Sequence, residues 1–166
     1  MTTRMVLPPA LSQVLNTLGF SWPEGDEGKI FDLAGEWNSF ADQLHPSIDQ
    51  AHQHVEEVWS KNHAKGIDQL KTFWTDSEAP KKNLDDGATA ATMIGAGLNV
   101  CAGIMVALKV AVIAELVALT IQIAQAIATA VVTFGASLAE IPVFRMITKT
   151  LLDQALDLAI GKVLNG

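Results

Sequence analysis

The sequence contains no tyrosine and a single cysteine, and these two scarcities exclude several kinds of chemistry. Cys101 stands alone within an apolar stretch, so an internal disulfide and a thiolate metal cluster are both ruled out. Without tyrosine, the chain also lacks a common acid, base and recognition group. A chain of 166 residues is long enough for one sizeable core, and we expect a single domain over residues 1–166.

Basic residues are scarce in the first half. The net charge is -7, and residues 1–86 contain 7 Lys and Arg against 14 Asp and Glu, whereas the remainder is balanced. An acidic half repels phosphate backbones, so we do not expect a nucleic acid partner. No signal peptide is expected either, because Pro8 and Pro9 interrupt the apolar residues that follow Arg4. The sequence therefore predicts a cytoplasmic product, or export by a route without such a signal.

Groups that could support catalysis or metal binding are few and dispersed. His52 and Glu56 are four residues apart and share a helix face. Two such groups without a third ligand at suitable spacing are more typical of a solvated helix surface than of a metal site. No predicted strand leads into a glycine-rich phosphate loop. We therefore predict no catalytic residue, no cofactor and no metal, and the chain is not expected to be an enzyme.

The apolar pattern predicts an all-α fold. From Ile30 to Val58, apolar residues recur at alternating steps of three and four, which is typical of a heptad seam. Pro46 lies within this seam without changing its phase, so either a kinked helix or two stacked segments are expected. Residues 60–66, SKNHAKG, predict a helix reversal, and a second helix follows with a break between residues 76 and 86.

Residues 87–144 differ in being almost free of charge, with only Lys109, Glu115 and Glu140 charged. Their helices are rich in Ala and Gly, and a seam of small residues that includes Gly95 should let two helix backbones approach closely. A second seam is polar. On a helical wheel, its members share about one third of a turn; they include Glu115, Gln122, Gln125, Thr129 and Thr133.

Two interpretations of this apolar region stay open. Residues 90–108 and 116–139 contain no charged side chain, and each is long enough to cross a bilayer. They could therefore insert as a hairpin that turns near Lys109 to Glu115, with the polar seam lining a pore. Alternatively, they form central helices of a soluble bundle, which the amphipathic Ala- and Gly-rich pattern favours.

The tryptophans carry a resemblance to a known family. Trp59 ends the long seam immediately before the reversal, and Trp74 lies on the returning helix. In residues 7–44 and 55–74, the chain resembles the Trp-x-Gly (WXG-type) substrates of type VII secretion. The nearer likeness is to the WXG-like N-terminal domains of actinobacterial secreted toxins and channel-forming effectors. Two features differ from the family pattern: Lys61 stands where the motif has glycine, and the tyrosine of the export signal is missing.

The resemblance implies a fold, a function and a set of partners. The fold is a long acidic helical hairpin, residues 7–86, packed with two or three apolar C-terminal helices, residues 87–166, in an elongated bundle. The function is that of a non-enzymatic export and partner-pairing domain of a type VII secretion effector or polymorphic toxin. The implied partners are a small WXG-type helical protein or a second copy, and the secretion machinery; a membrane enters only with the pore interpretation. The chain would be cytoplasmic before export and then secreted or at the cell surface.

Six residues are candidates for the interface or for the hairpin turn. Their large apolar side chains cannot be buried by a two-helix hairpin alone, so they should pack on the C-terminal helices or on another chain. Gly66 is included because it lies in the predicted reversal. The set is Trp37, Phe40, Trp59, Gly66, Phe73 and Trp74.

Overall fold

A computed structural model describes residues 4–165. Within this range every regular element is helical, and the described residues contain no strand, so the predicted all-α class is confirmed. There are five α-helices and one 3-10 helix. They are α1 Pro9–Thr17, α2 Glu27–Lys61, α3 Lys65–Thr75, α4 Pro80–Thr129, the 3-10 helix Ala136–Glu140 and α5 Ile141–Asn165.

Helices α1 and α2 follow from local signals. Proline at the first position of α1 has the backbone angle that a helix requires, and Gly19 follows the helix with a positive φ of 89°. Pro46 lies inside α2, which nevertheless continues as one helix of 35 residues rather than as two stacked segments. The helix can continue because the apolar seam keeps the same phase on both sides of Pro46.

The reversal after α2 is shorter than predicted. It comprises the three residues between Lys61 and Lys65, and α3 begins at Lys65. Gly66 therefore lies in the first turn of α3, and its assignment to the hairpin turn is wrong. Since Gly66 has a helical rather than a left-handed backbone, its conformational freedom is not used here.

Helix α4 corrects a second expectation. It runs without a break through Lys109 and Glu115, so this structure has no hairpin between these residues, and the inserted hairpin of the pore interpretation stays a prediction. The sequence there is rich in Ala, Leu and Val with no glycine or proline, and nothing local ends the helix. The helix ends at Thr129, so Thr133, assigned to the same polar seam, lies beyond it in the turn before the 3-10 helix.

The described residues form two compact units. One combines the chain up to Lys29 with the chain from Cys101 onward, and the other is Ile30–Val100. A single domain over the whole chain stays a prediction. The first unit has a leucine-rich core to which the N-terminal segment, α4 and α5 all contribute: Leu7, Leu15, Leu18, Val112, Leu116, Leu119 and Leu152.

The second unit packs through small side chains. Ala34 and Ala41 of α2 and Ala88 and Ala91 of α4 are almost completely buried. A Cβ atom built on Gly95 of α4 would lie 3.1 Å from the carbonyl oxygen of Ala34 and would overlap the Asn38 side chain. The predicted close approach of two helices is therefore present at Gly95.

We expect Gly95→Ala to lower the free energy of unfolding by about 1–3 kcal/mol, because its methyl group has no space beside α2. Gly97, two residues further along α4, has no atom within 4 Å of such a methyl group. Gly97→Ala should therefore raise the free energy of unfolding by about 0.5–1 kcal/mol through helix propensity alone. Urea unfolding of both variants measures the difference, and equal effects of the two substitutions would refute the close approach.

Candidate interaction surfaces

An apolar groove lies on the outer face of α2. It has a volume of about 380 Å³ and is lined by Leu33, Glu36, Trp37 and Phe40. Phe40 is 50% exposed and Leu33 is 43% exposed. The rings of Trp37 and Phe40 meet edge to face, with centroids 6.2 Å apart, which fixes the shape of the groove. Large apolar side chains of the predicted seam are thus left in contact with solvent.

The helix that forms the groove carries acidic side chains and no basic ones over most of its length. From residue 30 to residue 60, α2 contains six acidic residues and neither Lys nor Arg. All six side chains are exposed, so they present one sign of charge to solvent along most of the helix. They are Asp32, Glu36, Asp42, Asp49, Glu56 and Glu57.

Two of the predicted interface tryptophans meet at the end of α2. The indole N–H of Trp74, in α3, donates a hydrogen bond of 3.1 Å to Nδ1 of His52. The His52 ring also lies 6.2 Å from the ring of Trp59, centroid to centroid. This cluster joins α2 to α3 beside the reversal. Phe73, by contrast, is 61% exposed and lies outside the cluster.

His52 was not among the predicted interface residues. It lies seven residues before Trp59, which places both side chains on one face of α2 two turns apart. That spacing is the signal that could have identified it. In this arrangement Nδ1 of His52 is occupied by the hydrogen bond from Trp74.

A buried ion pair is the main electrostatic feature of the first unit. Lys109 is completely buried, and its Nζ lies 2.5 Å from Oε2 of Glu27 and 2.7 Å from the carbonyl oxygen of Gly25. The other carboxylate oxygen of Glu27 accepts a 2.5 Å hydrogen bond from the backbone N–H of Met5. Lys109 Nζ also lies 5.7 Å from the centre of the Trp22 ring, within cation–π range.

The hydrogen bonds of Glu27 change its acidity. Burial alone would raise the pKa of this carboxyl group, but the hydrogen bonds from Lys109 and from backbone N–H groups outweigh burial and lower the pKa to about 2. Glu27 therefore stays ionised at neutral pH, and Lys109 keeps its counter-charge. The pore interpretation placed Lys109 near a hairpin turn, and neither interpretation of the sequence included this ion pair, since its partner is 82 residues away.

The residues of the predicted polar seam lie largely in contact with solvent. Gln122, Gln125 and Thr129 are exposed on α4, and Glu115 is half-buried. The Thr129 hydroxyl donates to the carbonyl oxygen of Gln125 at 2.9 Å. Thr133 is exposed beyond the helix end. The structure therefore brings the α4 members to one surface, and whether they line a pore stays a prediction.

Within residues 4–165, no group of three or more His, Cys, Asp or Glu side chains is placed to hold a metal ion. The His52 and Glu56 pair considered above includes the histidine whose Nδ1 already accepts the Trp74 hydrogen bond.

A family model described as "WXG100 like domain" matches residues 9–151. The chain belongs to the WXG100-like domain family. No curated protein and no solved structure matched the sequence. This WXG100-like chain is accordingly a helical protein related to type VII secretion, and WXG100 proteins are typically secreted and form helical dimers.

The ion pair predicts a specific loss of stability in acid. Glu27 has a folded pKa of about 2 against an ordinary value of 4.5, so its contribution is complete above pH 4.5 and is lost as the pH falls from there through 2. Glu27→Leu alone should cost about 3–5 kcal/mol at neutral pH, because it leaves Lys109 buried without its partner. The double variant Glu27→Leu with Lys109→Met should recover most of that loss.

Urea unfolding at several pH values checks this prediction, with the double variant as control for the other carboxyl groups. The stability of the wild type should fall more steeply than that of the double variant between pH 4.5 and pH 2. Parallel pH profiles for the two proteins would show that the pair does not contribute as described.

Proposed function

We propose that the chain is a non-enzymatic domain that pairs with a small helical WXG-type protein and is exported with it, as the N-terminal part of a type VII secretion effector or polymorphic toxin. The observation that carries the proposal is the outer face of α2. There, Phe40 and Leu33 expose apolar surface beside Trp37, and a helix of another chain could cover it. Family membership supports the same mode of interaction.

The charge on α2 favours a different protein over a second copy. If two copies paired through this face, acidic side chains would lie opposite each other, because no basic residue occurs from residue 30 to residue 60. Like charges across an interface oppose association. A partner helix with an apolar ridge flanked by Lys or Arg would instead complement the groove and its acidic surroundings.

The location of the polar side chains supports a non-enzymatic role. His52 uses Nδ1 to accept the hydrogen bond from Trp74, so it is positioned by packing between helices. Glu27 and Lys109 are buried against each other and are inaccessible to a substrate. We further propose that the chain is cytoplasmic before export and then secreted or at the cell surface.

Co-expression with the small helical protein encoded beside the gene should give a stable complex. Phe40→Ala should weaken it by about 2 kcal/mol, or roughly 30-fold in Kd, since a half-exposed phenylalanine at the centre of an apolar groove is a typical anchor. The matched control is Met93→Ala, which removes a side chain that is 69% exposed on α4. Calorimetric titration measures the Kd of the partner for the Phe40→Ala and Met93→Ala variants. A chain that stays monomeric with and without the neighbouring protein would refute the proposal, and a self-dimer would refute the charge argument.

A second function, insertion into membranes to form a pore, is favoured by one observation. The helical stretch Lys65–Thr129 contains an 18-residue window with a mean hydropathy of 2.4, and only 22% of that window is buried. By length and composition it can cross a bilayer. Since α4 is continuous through Lys109 and Glu115 and ends at Thr129, such a pore would use one segment of α4 within residues 90–129, with Gln122 and Gln125 on its wall.

Dye release from liposomes tests the pore. The wild type should cause leakage, and the double variant Gln122→Leu with Gln125→Leu should reduce it if the two amides line the channel. The control is Ala118→Leu with Ala128→Leu, which adds apolar surface at exposed positions of α4 without removing an amide. No leakage by the wild type at acidic and neutral pH, with or without a partner, would exclude this function.

A further inference from the structure

The turn between α4 and the 3-10 helix exposes apolar side chains to an unusual degree. Val131 is 85% exposed, Val132 is 81% exposed and Phe134 is 100% exposed. We call these three residues the apolar tip. Phe134 also has a φ of 51°, in the left-handed region that asparagine and glycine usually occupy. A large apolar residue at a position that suits a small polar one requires an explanation other than local folding.

Several polar groups of this turn form hydrogen bonds within it. The backbone N–H of Gly135 donates to the carbonyl oxygen of Ala130 at 2.7 Å, and the backbone N–H of Ala136 donates to the carbonyl oxygen of Thr133 at 3.1 Å. The buried Ser137 hydroxyl donates to the carbonyl oxygen of Ala126 at 2.7 Å, which ties the 3-10 helix to the end of α4. The N–H groups of Gly135 and Ala136 and the Ser137 hydroxyl thus have partners already, and each such bond lowers the cost of moving the turn out of water.

The charge around the apolar tip distinguishes lipid from protein as its partner. Residues 116–139 contain no charged side chain, and Glu140 is the first charge after the tip. The rim of a protein interface is polar and often charged, whereas residues 116–139 offer only uncharged polar groups such as Thr129 and Thr133. The net charge of -7 opposes binding to an anionic surface. These properties together suit the hydrocarbon of a neutral bilayer.

We propose that the apolar tip inserts into the boundary between headgroups and acyl chains and attaches the chain to a membrane. Three apolar side chains at a turn give shallow, reversible attachment. The exposed carboxylate of Glu140 limits the depth of insertion. This inference requires neither the partner-pairing face of α2 nor a pore, because attachment alone moves no segment of α4 across the bilayer.

Flotation with phosphatidylcholine vesicles tests the attachment. The wild type should float with the vesicles, and Phe134→Asn should lower the partition coefficient about tenfold or more, since one buried phenylalanine contributes at least that much. Asparagine tolerates a positive φ, so this variant should fold at least as well as the wild type, as thermal unfolding would show. Phe73→Gln, which removes another exposed phenylalanine and keeps a good helix former, should float like the wild type.

The fluorescence of a tryptophan placed at the apolar tip shows directly whether the tip lies in the bilayer. All four native tryptophans lie at or before residue 74, so Phe134→Trp adds the only indole in the second half of the sequence. Vesicles that contain brominated phosphatidylcholine should quench this added fluorescence and leave the native signal nearly unchanged.

Three outcomes would overturn the proposal: no flotation of the wild type, equal flotation of the wild type and Phe134→Asn, or equal losses in Phe134→Asn and Phe73→Gln. Dye release measured on the same vesicles separates attachment from a pore. Flotation without leakage excludes the pore, whereas leakage by the wild type supports it; in either case the difference in flotation between the wild type and Phe134→Asn decides the role of the tip.

Discussion

The buried pair of Lys109 and Glu27 is the constraint on which the first unit depends. An ammonium group without solvent is costly unless a carboxylate and further acceptors surround it, and here Glu27 and the Gly25 carbonyl oxygen supply them. The pair fixes the segment that enters α2 at one point along α4. Once this point is set, Leu15 and Leu18 can pack on Leu116 and Leu119 in the common core. A charged pair thus determines the register in which an otherwise uniform apolar surface is covered.

That uniformity explains what could be predicted from the sequence and what could not. The period of apolar residues predicts helices, and α2 and α5 are indeed helices near the expected positions. The choice of buried face is harder, because adjacent residues on a helix differ by only 100°. Leu33 and Phe40 fit the seam, yet Ala34 and Ala41 are buried in their place. Small side chains allow the approach of α2 to Gly95, and the larger ones are left outside.

Two further differences arise from contacts between residues distant in the sequence. A lone lysine in an apolar stretch resembles a surface residue or a turn, and only its partner 82 residues away shows that it is buried. The end of α4 also depends on a contact between residues that are apart in the sequence. The turn after Thr129 is stabilised by Ser137, whose hydroxyl donates a hydrogen bond to the carbonyl oxygen of Ala126, 11 residues earlier. Local patterns contain neither contact, so a helix through Thr133 and a turn at Lys109 were both reasonable expectations from sequence.

The exposed apolar surfaces of this WXG100-like chain differ in their electrostatic surroundings, and this difference has functional consequences. On α2, aromatic surface lies on a helix that carries six carboxylates and no basic residue from residue 30 to residue 60, so a partner that supplies opposite charge suits it best. At the apolar tip no charge is present, so neither complementarity nor repulsion selects a protein partner there. Apolar area alone decides what binds at the tip, and a bilayer supplies such area without requiring a matching shape. On the two proposals above, the charge around each apolar surface would let one helical chain discriminate between a protein and a membrane.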